Sequence, residues 1–263
     1  AEGGLRFLET YPDDPTFLYF ATTIPHHPLD AEHSFDADPR ITPKGYLDNP
    51  PDVLPSRESL KTRIKEAGLS GADRTNLLWM DDALGALLTK LDETGKIDNT
   101  IIVFFNDHGQ HSKGTLYEGG IHSQCIIWKS GGFKVGNWCV VPVSNVDFLP
   151  TLLEYAGVEN TAGICDGYSF KPALEGESYE PRESLFFELG FARAVVRGKY
   201  KYLAIRYPEY AKNASLEDRT NMLNAYNEMR RSFGGKAVNF DPALPYGHLE
   251  MFPGGGDAEK ATY

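Results

Sequence analysis

The hydrophobic pattern divides the chain into a region where strands and helices alternate and a later region of closely spaced strands. Residues 73–91 carry leucine or methionine at every third or fourth position, a spacing that predicts a helix with one apolar face. Residues 100–106 (TIIVFFN) form a continuous β-branched and aromatic run, which is typical of a strand covered on both faces. Residues 17–23 (FLYFATT) predict another short buried strand. Strand, loop, helix and strand in this order indicate an α/β sheet.

Shorter elements and one long loop follow from the same pattern. Residues 124–128 and 138–143 are apolar runs of strand length and predict two more strands. The run SNVDFLPTLLEYAGV predicts a helix with Ser144 at the N-cap and Gly157 at the C-cap. A serine side chain can accept an N–H of the first turn, and glycine readily adopts the left-handed conformation that ends a helix. Residues 36–58 are rich in proline and lack periodicity, which predicts a long surface loop.

The pattern changes near residue 182. Three strand-like runs within residues 184–206 are separated by tight turns that contain glycine, and they predict an antiparallel meander. A polar helix is expected over residues 216–231. We therefore expect residues 1–182 to form part of a mostly parallel sheet flanked by helices, and residues 183–263 to form a smaller antiparallel subdomain.

Composition narrows the classes of partner. The net charge of -11 at pH 7 argues against a general nucleic-acid binder, which would carry a basic surface. No run reaches the roughly 18 apolar residues that a membrane helix needs, so we expect no membrane span. The three cysteines form no CxxC pair and no metal-site spacing, and an odd number leaves at least one thiol unpaired within the chain.

The loop after residues 100–106 carries the first candidate chemistry. Asp107 and His108 follow directly where the strand ends, and side chains at such positions can point into the crevice at the carboxyl end of a sheet. A carboxylate oxygen and an imidazole nitrogen are together a common pair of metal ligands. Gly109 allows a sharp turn immediately afterwards. The alternative is an ordinary turn in which the aspartate caps the backbone.

Two basic segments could act on an anion bound at the same metal. Lys113 follows in the same loop, where its ammonium could stabilise charge on a transferring oxygen; the alternative is a solvated surface charge. In the segment PHHP, flanking prolines restrict the backbone around His26 and His27. A fixed imidazole there could donate a proton to a leaving oxygen, whereas the alternative is a rigid loop with one half-buried histidine.

Taken together, these segments resemble one protein family. TIIVFFNDHGQHSKGTLYEGGIHSQCIIW is similar to the second signature of the sulfatases, in the alkaline phosphatase superfamily. FLYFATTIPHHPLDA resembles the family segment in which a strand runs into a Pro-His-x-Pro loop. VSNVDFLPTLLEYAGV is similar to the helix after the signature, and ARAVVRGKYKYL to the C-terminal strands. The resemblance covers nearly all of residues 5–206 and implies an alkaline-phosphatase-like α/β fold.

The resemblance implies a role for each matching residue. Asp107 and His108 match two ligands of the family's divalent metal, which is most often Ca²⁺. Lys113 matches the lysine that contacts the sulfate and its leaving oxygen, and His26 matches the sulfate-contacting histidine. His122 stands where family members often carry arginine, and it receives no role.

One part of the family's active site has no match in this sequence. The family nucleophile is a cysteine or serine in a Cys/Ser-x-Pro-x-Arg motif, with the cysteine oxidised to formylglycine, and it normally lies upstream of the Pro-His loop. The nearest match is VLPSR at residues 53–57, which has valine at the nucleophile position and follows His26, so we interpret it as a coincidence. We expect this chain to be an internal or C-terminal portion of a sulfatase, with formylglycine on an N-terminal half that is a candidate partner.

Three functional hypotheses follow. The first is a sulfuric ester hydrolase that cleaves a small-molecule or carbohydrate sulfate ester, this chain alone being inactive. The second is a phosphodiesterase or phosphonate monoester hydrolase of the same superfamily, which shares the Asp-His ligand pair. The third is a non-catalytic domain with a vestigial site. The resemblance also implies a periplasmic, secreted or lysosomal-type compartment, and it leaves the oligomeric state open.

Overall fold

The structure is a computed structural model that describes most of the chain. The described residues are 1–22, 24, 35–42, 45–70, 72–109, 114–133, 138–139, 141–158, 165–180, 182–190, 192–206, 209, 213–237, 239 and 241–243. For residues 72–74 and 205 the description covers the backbone. His26, His27 and Lys113 lie outside the described residues. The chain divides into two compact units, residues 1–101 with 129–131 and residues 102–128 with 132–263, and each is described by itself.

Helices dominate the first unit. Its elements are α1 (Glu2–Thr10), β1 (Ile41–Thr42), β2 (Gly45–Tyr46), α2 (Arg57–Glu66), α3 (Ala72–Glu93) and a 3₁₀ turn at Ile97–Asn99. The two short strands pair with each other in antiparallel orientation. α3 contains the whole of residues 73–91, so the helix predicted from the apolar periodicity is confirmed.

α1 is a helix that the sequence pattern did not predict. Its segment EGGLRFLET contains two glycines, which lower the intrinsic helix propensity. Tertiary packing compensates, because Leu5 and Leu8 are buried and Gly4 allows a close approach to α3. A Cβ at Gly4 would stand 3.1 Å from Leu87 of α3 and 3.3 Å from Phe20. The missing side chain is therefore what lets these apolar groups meet.

α2 begins inside the segment VLPSR that partly matches the sulfatase nucleophile motif. The Ser56 hydroxyl accepts the backbone N–H of Ser59 at 3.1 Å, which makes Ser56 the N-cap of the helix. The guanidinium of Arg57 donates to the Phe35 carbonyl at 3.0 Å and lies 5.4 Å from the ring centre of Trp79. Pro-Ser-Arg thus serves to start and anchor a helix, and the end of the predicted loop over residues 36–58 is helical.

The remaining elements lie in the second unit, apart from the two strand residues Ile101 and Lys129, which belong to the first unit. They are β3 (Ile101–Phe105), α4 (Glu118–Ile121), β4 (Cys125–Lys129), a 3₁₀ turn at Asn145–Asp147, α5 (Phe148–Tyr155), α6 (Lys171–Glu175), β5 (Leu185–Leu189), β6 (Ala192–Arg197), β7 (Tyr200–Ile205) and α7 (Leu216–Ser232). β3 and β4 form a two-stranded sheet, and β5, β6 and β7 form an antiparallel sheet in that order. The predicted meander and the predicted helix over residues 216–231 are confirmed.

Two strand predictions were wrong within the described residues. Residues 17–22 are not in a strand, and Phe17 and Tyr19 are 75% and 70% exposed. The described residues of 138–143 are not in a strand either, and Trp138 is 94% exposed. An apolar run becomes a strand only when a neighbouring strand supplies the other half of its hydrogen bonds, and among the described residues neither run has one.

A buried ion pair fixes the start of α5. The Asp147 side chain is fully buried, and its carboxylate accepts the N–H groups of Ser144 and Tyr168, each at 2.8 Å, as well as the guanidinium of Arg182. Burial raises the pKa of Asp147, but the hydrogen bonds from Arg182 and from the two amides outweigh burial and hold this pKa below its ordinary value. Ser144 is the N-cap of the 3₁₀ turn that leads into α5, whose own N-cap is Asp147. The predicted C-cap was wrong by one residue: Ala156 is the C-cap, and Gly157 follows it with φ +78°.

Two further observations concern membrane-spanning helices and disulfide bonds. In the part of the chain that the structure describes, no helix combines the length and apolar composition needed to cross a membrane. Cys125, Cys139 and Cys165 form no disulfide. The domain boundary near residue 182 stays a prediction.

Candidate metal centre

The end of β3 is held firmly at the residue before the candidate ligands. The Asn106 N–H donates to the Gln124 carbonyl at 3.1 Å, and the Asn106 carbonyl accepts the Ser123 hydroxyl. Both backbone groups of Asn106 are therefore bound to the segment that leads into β4. Asp107 is the first residue beyond this anchored end, as the strand pattern predicted.

The imidazole of His108 is oriented by its own backbone neighbour. Its Nδ1 lies 2.6 Å from the carbonyl oxygen of Gly109, and a carbonyl can only accept a hydrogen bond. Nδ1 therefore carries the proton, and in the neutral ring Nε2 keeps its lone pair. Histidines that bind metals characteristically donate their other ring N–H to a carbonyl or a carboxylate in this way.

The Asp107 carboxylate and the His108 ring stand at the separation that one shared cation requires. Oδ1 of Asp107 lies 3.6 Å from Nε2 of His108, and the side chains are 82% and 30% exposed. Two ligand atoms about 2.3 Å from one ion, at an angle of about 100°, would lie about 3.5 Å apart. The donor types, the tautomer and the spacing thus fit two ligands of one divalent cation.

Gly109 lets the ligand loop touch the backbone of α4. Its N–H donates to the Gly120 carbonyl at 2.9 Å. A Cβ on Gly109 would stand 2.4 Å from the Gly119 carbonyl oxygen and 3.1 Å from the Glu118 carbonyl oxygen. No flexible side chain lies at these contacts, so a larger residue here must move backbone. The Gly-Gly pair of the sequence is thereby explained as the surface against which the ligand loop packs.

The Gly109→Ala substitution is expected to lower the free energy of unfolding by about 1–3 kcal/mol and to weaken metal binding, because the added methyl forces the loop away from α4. The matched control is Gly85→Ala in α3, where a Cβ meets nothing within 4 Å and the helix gains propensity. That variant is expected to stabilise the protein by about 0.5–1 kcal/mol. Urea unfolding and calcium titration of both variants measure the contrast, and equal effects would contradict the close-contact argument.

The structure describes only some of the predicted site residues. Asp107 and His108 are adjacent, while His26 and Lys113 lie outside the described residues. His122, which received no role, has a 78% exposed side chain 3.6 Å from the Glu118 carboxylate. Among the described residues, no group of three or more His, Cys, Asp or Glu side chains is arranged to hold a metal. The described part of the site therefore contains two candidate ligands, Asp107 and His108.

Lys201 of β7 is a residue that sequence reasoning missed. Its Nζ donates to the Leu116 carbonyl at 3.1 Å and to the Glu118 carboxylate, both in the segment that leads into α4. A signal was present in the sequence KYKYL: the lysine occupies the same face of the strand as Leu203, where an apolar residue is expected.

A separate concavity of about 510 Å³ lies on the sheet of β5, β6 and β7. Its lining includes Phe186, Arg193, Tyr202 and Arg206, and neither Asp107 nor His108 belongs to it.

A carboxylate and an imidazole that lie together at the end of β3 define an α/β protein with a candidate metal site at a strand end. The comparison with family models then identifies the family: the model named Sulfatase matches residues 1–158, and the chain belongs to the sulfatase family. The resemblance read from the sequence is confirmed.

Curated relatives agree with this assignment. The chain is 28% identical to human arylsulfatase A over 210 residues, which are 72% of this chain and 36% of that protein. It is 38% identical to N-acetylglucosamine-6-O-sulfatase of Bacteroides thetaiotaomicron over 114 residues, which are 41% of this chain and 20% of that protein. The chain thus spans about a third of the first relative and a smaller share of the second.

A solved structure defines the fold. It comes from work on the metabolism of multiple glycosaminoglycans by Bacteroides thetaiotaomicron, and it superposes with a TM-score of 0.55 at 20% identity, covering 77% of this chain and 42% of that one. The predicted fold class, part of an alkaline-phosphatase-like α/β fold with a smaller antiparallel sheet, is confirmed.

Proposed function

We propose that this protein is a sulfuric ester hydrolase in which Asp107 and His108 supply two ligands to a divalent cation. The observation that carries the proposal is the geometry of this pair: a carboxylate oxygen of Asp107 lies 3.6 Å from Nε2 of His108 at the end of β3, and Nδ1 of that ring faces the Gly109 carbonyl. Membership of the sulfatase family supports the choice of sulfate ester as the substrate class. The cation proposed is Ca²⁺, because carboxylate oxygen is a hard ligand and the resemblance points to calcium.

The cation, when bound, would neutralise charge on the sulfate oxygens and hold the ester in place. Asp107 would contribute negative charge to the site, and its exposed carboxylate needs no rearrangement to do so. His108 would contribute a neutral nitrogen whose direction is set by the hydrogen bond from Nδ1 to the Gly109 carbonyl.

Lys113 and His26 are proposed to contact the sulfate ester itself. The ammonium of Lys113 would stabilise negative charge on the leaving oxygen, and His26 would hydrogen-bond the sulfate or donate a proton to that oxygen. Both roles rest on the family resemblance of the segments that contain them. No Cys/Ser-x-Pro-x-Arg motif occurs in residues 1–263, and these residues alone are expected to be inactive.

The substrate class is proposed to be a sulfated sugar. A relative named N-acetylglucosamine-6-O-sulfatase, 38% identical over its matched part, supports this choice. A periplasmic, secreted or lysosomal-type location is proposed on the family resemblance.

The test is a side-by-side assay of the complete gene product. We expect turnover of an aryl sulfate and of N-acetylglucosamine 6-sulfate, loss of both on treatment with a chelator, and recovery on addition of Ca²⁺. An aryl phosphate diester with the same leaving group serves as the matched comparison. Faster turnover of the diester would replace the proposal with phosphodiesterase activity, and hydrolysis of none of the three would favour a non-catalytic domain.

A further inference from the structure

Lys201 occupies a position in β7 where the sheet is otherwise apolar. Its strand neighbours Tyr200 and Tyr202 point outward and are 71% and 69% exposed, whereas the Lys201 side chain is 19% exposed. Leu203, two residues on, lies on the same face and pairs across the ladder with Ala194, which is 1% exposed. An ammonium group on the inner face of a sheet is costly unless acceptors meet it.

Both acceptors of Lys201 come from one short segment. Nζ donates to the Leu116 carbonyl at 3.1 Å and to the Glu118 carboxylate. Leu116 is 4% exposed, so its carbonyl sits where water competes little for the hydrogen bond. One lysine therefore clamps a backbone group and a carboxylate at the entrance to α4, and charge-assisted bonds of this kind are the strong ones.

α4 passes this restraint to the ligand loop. It is a single turn, Glu118–Ile121, and its Gly120 carbonyl accepts the Gly109 N–H at 2.9 Å. The Gly119 carbonyl oxygen is 2.4 Å from where a Cβ of Gly109 would be, so the two backbones are in direct contact. Gly109 in turn accepts the Nδ1 hydrogen bond of His108. Direct contacts thus connect Lys201 to the His108 imidazole through α4 and Gly109.

We propose that Lys201 is a positioning residue for the metal centre, acting through Leu116, Glu118 and the backbone of α4 on Gly109 and His108. The inference rests on the proposed function for its catalytic consequence, but its structural part concerns the metal-free protein.

The test compares Lys201→Met with Lys199→Met in the complete gene product. Methionine keeps the length of the side chain and removes the donors. Lys199 is an exposed lysine in the same hairpin whose ammonium lies 5.4 Å from the Tyr200 ring, so it is the matched control. In metal-free protein, Lys201→Met is expected to speed hydrogen exchange of the Gly109 amide by about tenfold or more. It is also expected to raise the Ca²⁺ dissociation constant by about tenfold and to lower kcat more than it raises KM.

A second variant guards against misfolding of the first. Glu118→Gln removes one charged acceptor on an exposed side chain and leaves the Leu116 carbonyl in place. It is expected to raise the dissociation constant by about threefold, and to add little further in the Lys201→Met background because the same clamp is already broken. The inference is overturned if the Lys201→Met protein has the same Gly109 exchange rate and the same metal affinity as the Lys199→Met protein. It is also overturned if Lys201→Met lowers the free energy of unfolding and changes neither of these two quantities.

The two proposals fail in different ways. If Asp107→Ala binds Ca²⁺ as tightly as the wild type, the metal assignment is wrong, whatever Lys201 does. If Asp107→Ala loses Ca²⁺ while Lys201→Met and Glu118→Gln match the controls, the metal assignment stands and the positioning role of Lys201 is wrong. Gly109 exchange in metal-free protein decides the positioning role without reference to activity.

Discussion

Replacement of Asp107 by alanine in the complete gene product is expected to lower kcat/KM for a sulfate ester by at least about 100-fold. The substitution removes one of the two proposed ligands and its negative charge, so the cation binds more weakly and its contribution to charge stabilisation is lost. The Asp107 side chain is 82% exposed, so its truncation removes little packing. The free energy of unfolding is therefore expected to change by no more than about 0.5 kcal/mol.

The measurement is a calcium titration together with turnover of an aryl sulfate and a urea unfolding curve. Asp52→Ala is the matched control, because Asp52 is also an exposed aspartate outside helices and strands. The control is expected to match the wild type in all three measurements. An Asp107→Ala protein with unchanged calcium affinity would refute the ligand assignment, and one that is strongly destabilised would show that Asp107 acts in folding.

The largest expected effect on stability follows from Asp147→Ala, which should lower the free energy of unfolding by about 3–5 kcal/mol. The substitution leaves the Arg182 guanidinium, whose side chain is 17% exposed, without its carboxylate. It also leaves the N–H groups of Ser144 and Tyr168 without their shared acceptor. Urea unfolding near pH 7 measures this loss.

The control for that variant is an ion pair of the same type on the surface. Arg197 binds Glu183 with side chains that are 71% and 76% exposed, and Glu183→Ala is expected to cost at most about 1 kcal/mol. Similar losses for Asp147→Ala and Glu183→Ala would contradict the argument that burial makes the first pair indispensable.

The ion pair between Asp147 and Arg182 also predicts how the free energy of unfolding depends on pH. Because the folded-state pKa of Asp147 is held below its ordinary value, the ionised carboxylate contributes stability that is complete above about pH 4, the pKa of an unperturbed aspartate. That contribution is lost as the pH falls through the lower folded-state pKa. The difference in unfolding free energy between wild type and Asp147→Ala is therefore expected to shrink as the pH is lowered from about 5 to below 4. A constant difference would contradict the shift.

The sequence predicted those parts of the fold whose signal is local. α3 repeats its leucines at helical spacing, and β5, β6 and β7 are separated by glycine turns, so neighbouring residues carried the information. α1 and the strand expected at residues 17–23 show the limit. The helix depends on Gly4 meeting Leu87, and the strand failed because an apolar run does not reveal whether a pairing partner exists.

The residues of the candidate site likewise differ in whether their signal in the sequence is local. The position of Asp107 and His108 just beyond a strand was predictable because the end of that strand is visible in the pattern TIIVFFNDHG. For Lys201 the sequence KYKYL shows only a lysine on an apolar strand face, because its partner Leu116 is 85 positions away along the chain. Gly109 was expected to allow a turn, whereas the structure shows that it mainly makes room for Gly119.

The contact between Gly109 and Gly119 also has a consequence for protein engineering. Because neither residue has a side chain, the fit between the ligand loop and α4 is a contact of backbone on backbone, which a larger residue at Gly109 can only disturb. A chimera that takes this loop from another family member would therefore have to exchange residues 107–121 as one block. Its junctions would fall at the end of β3 and just before β4, where the Asn106 backbone is bonded to Gln124 whichever side chains are present.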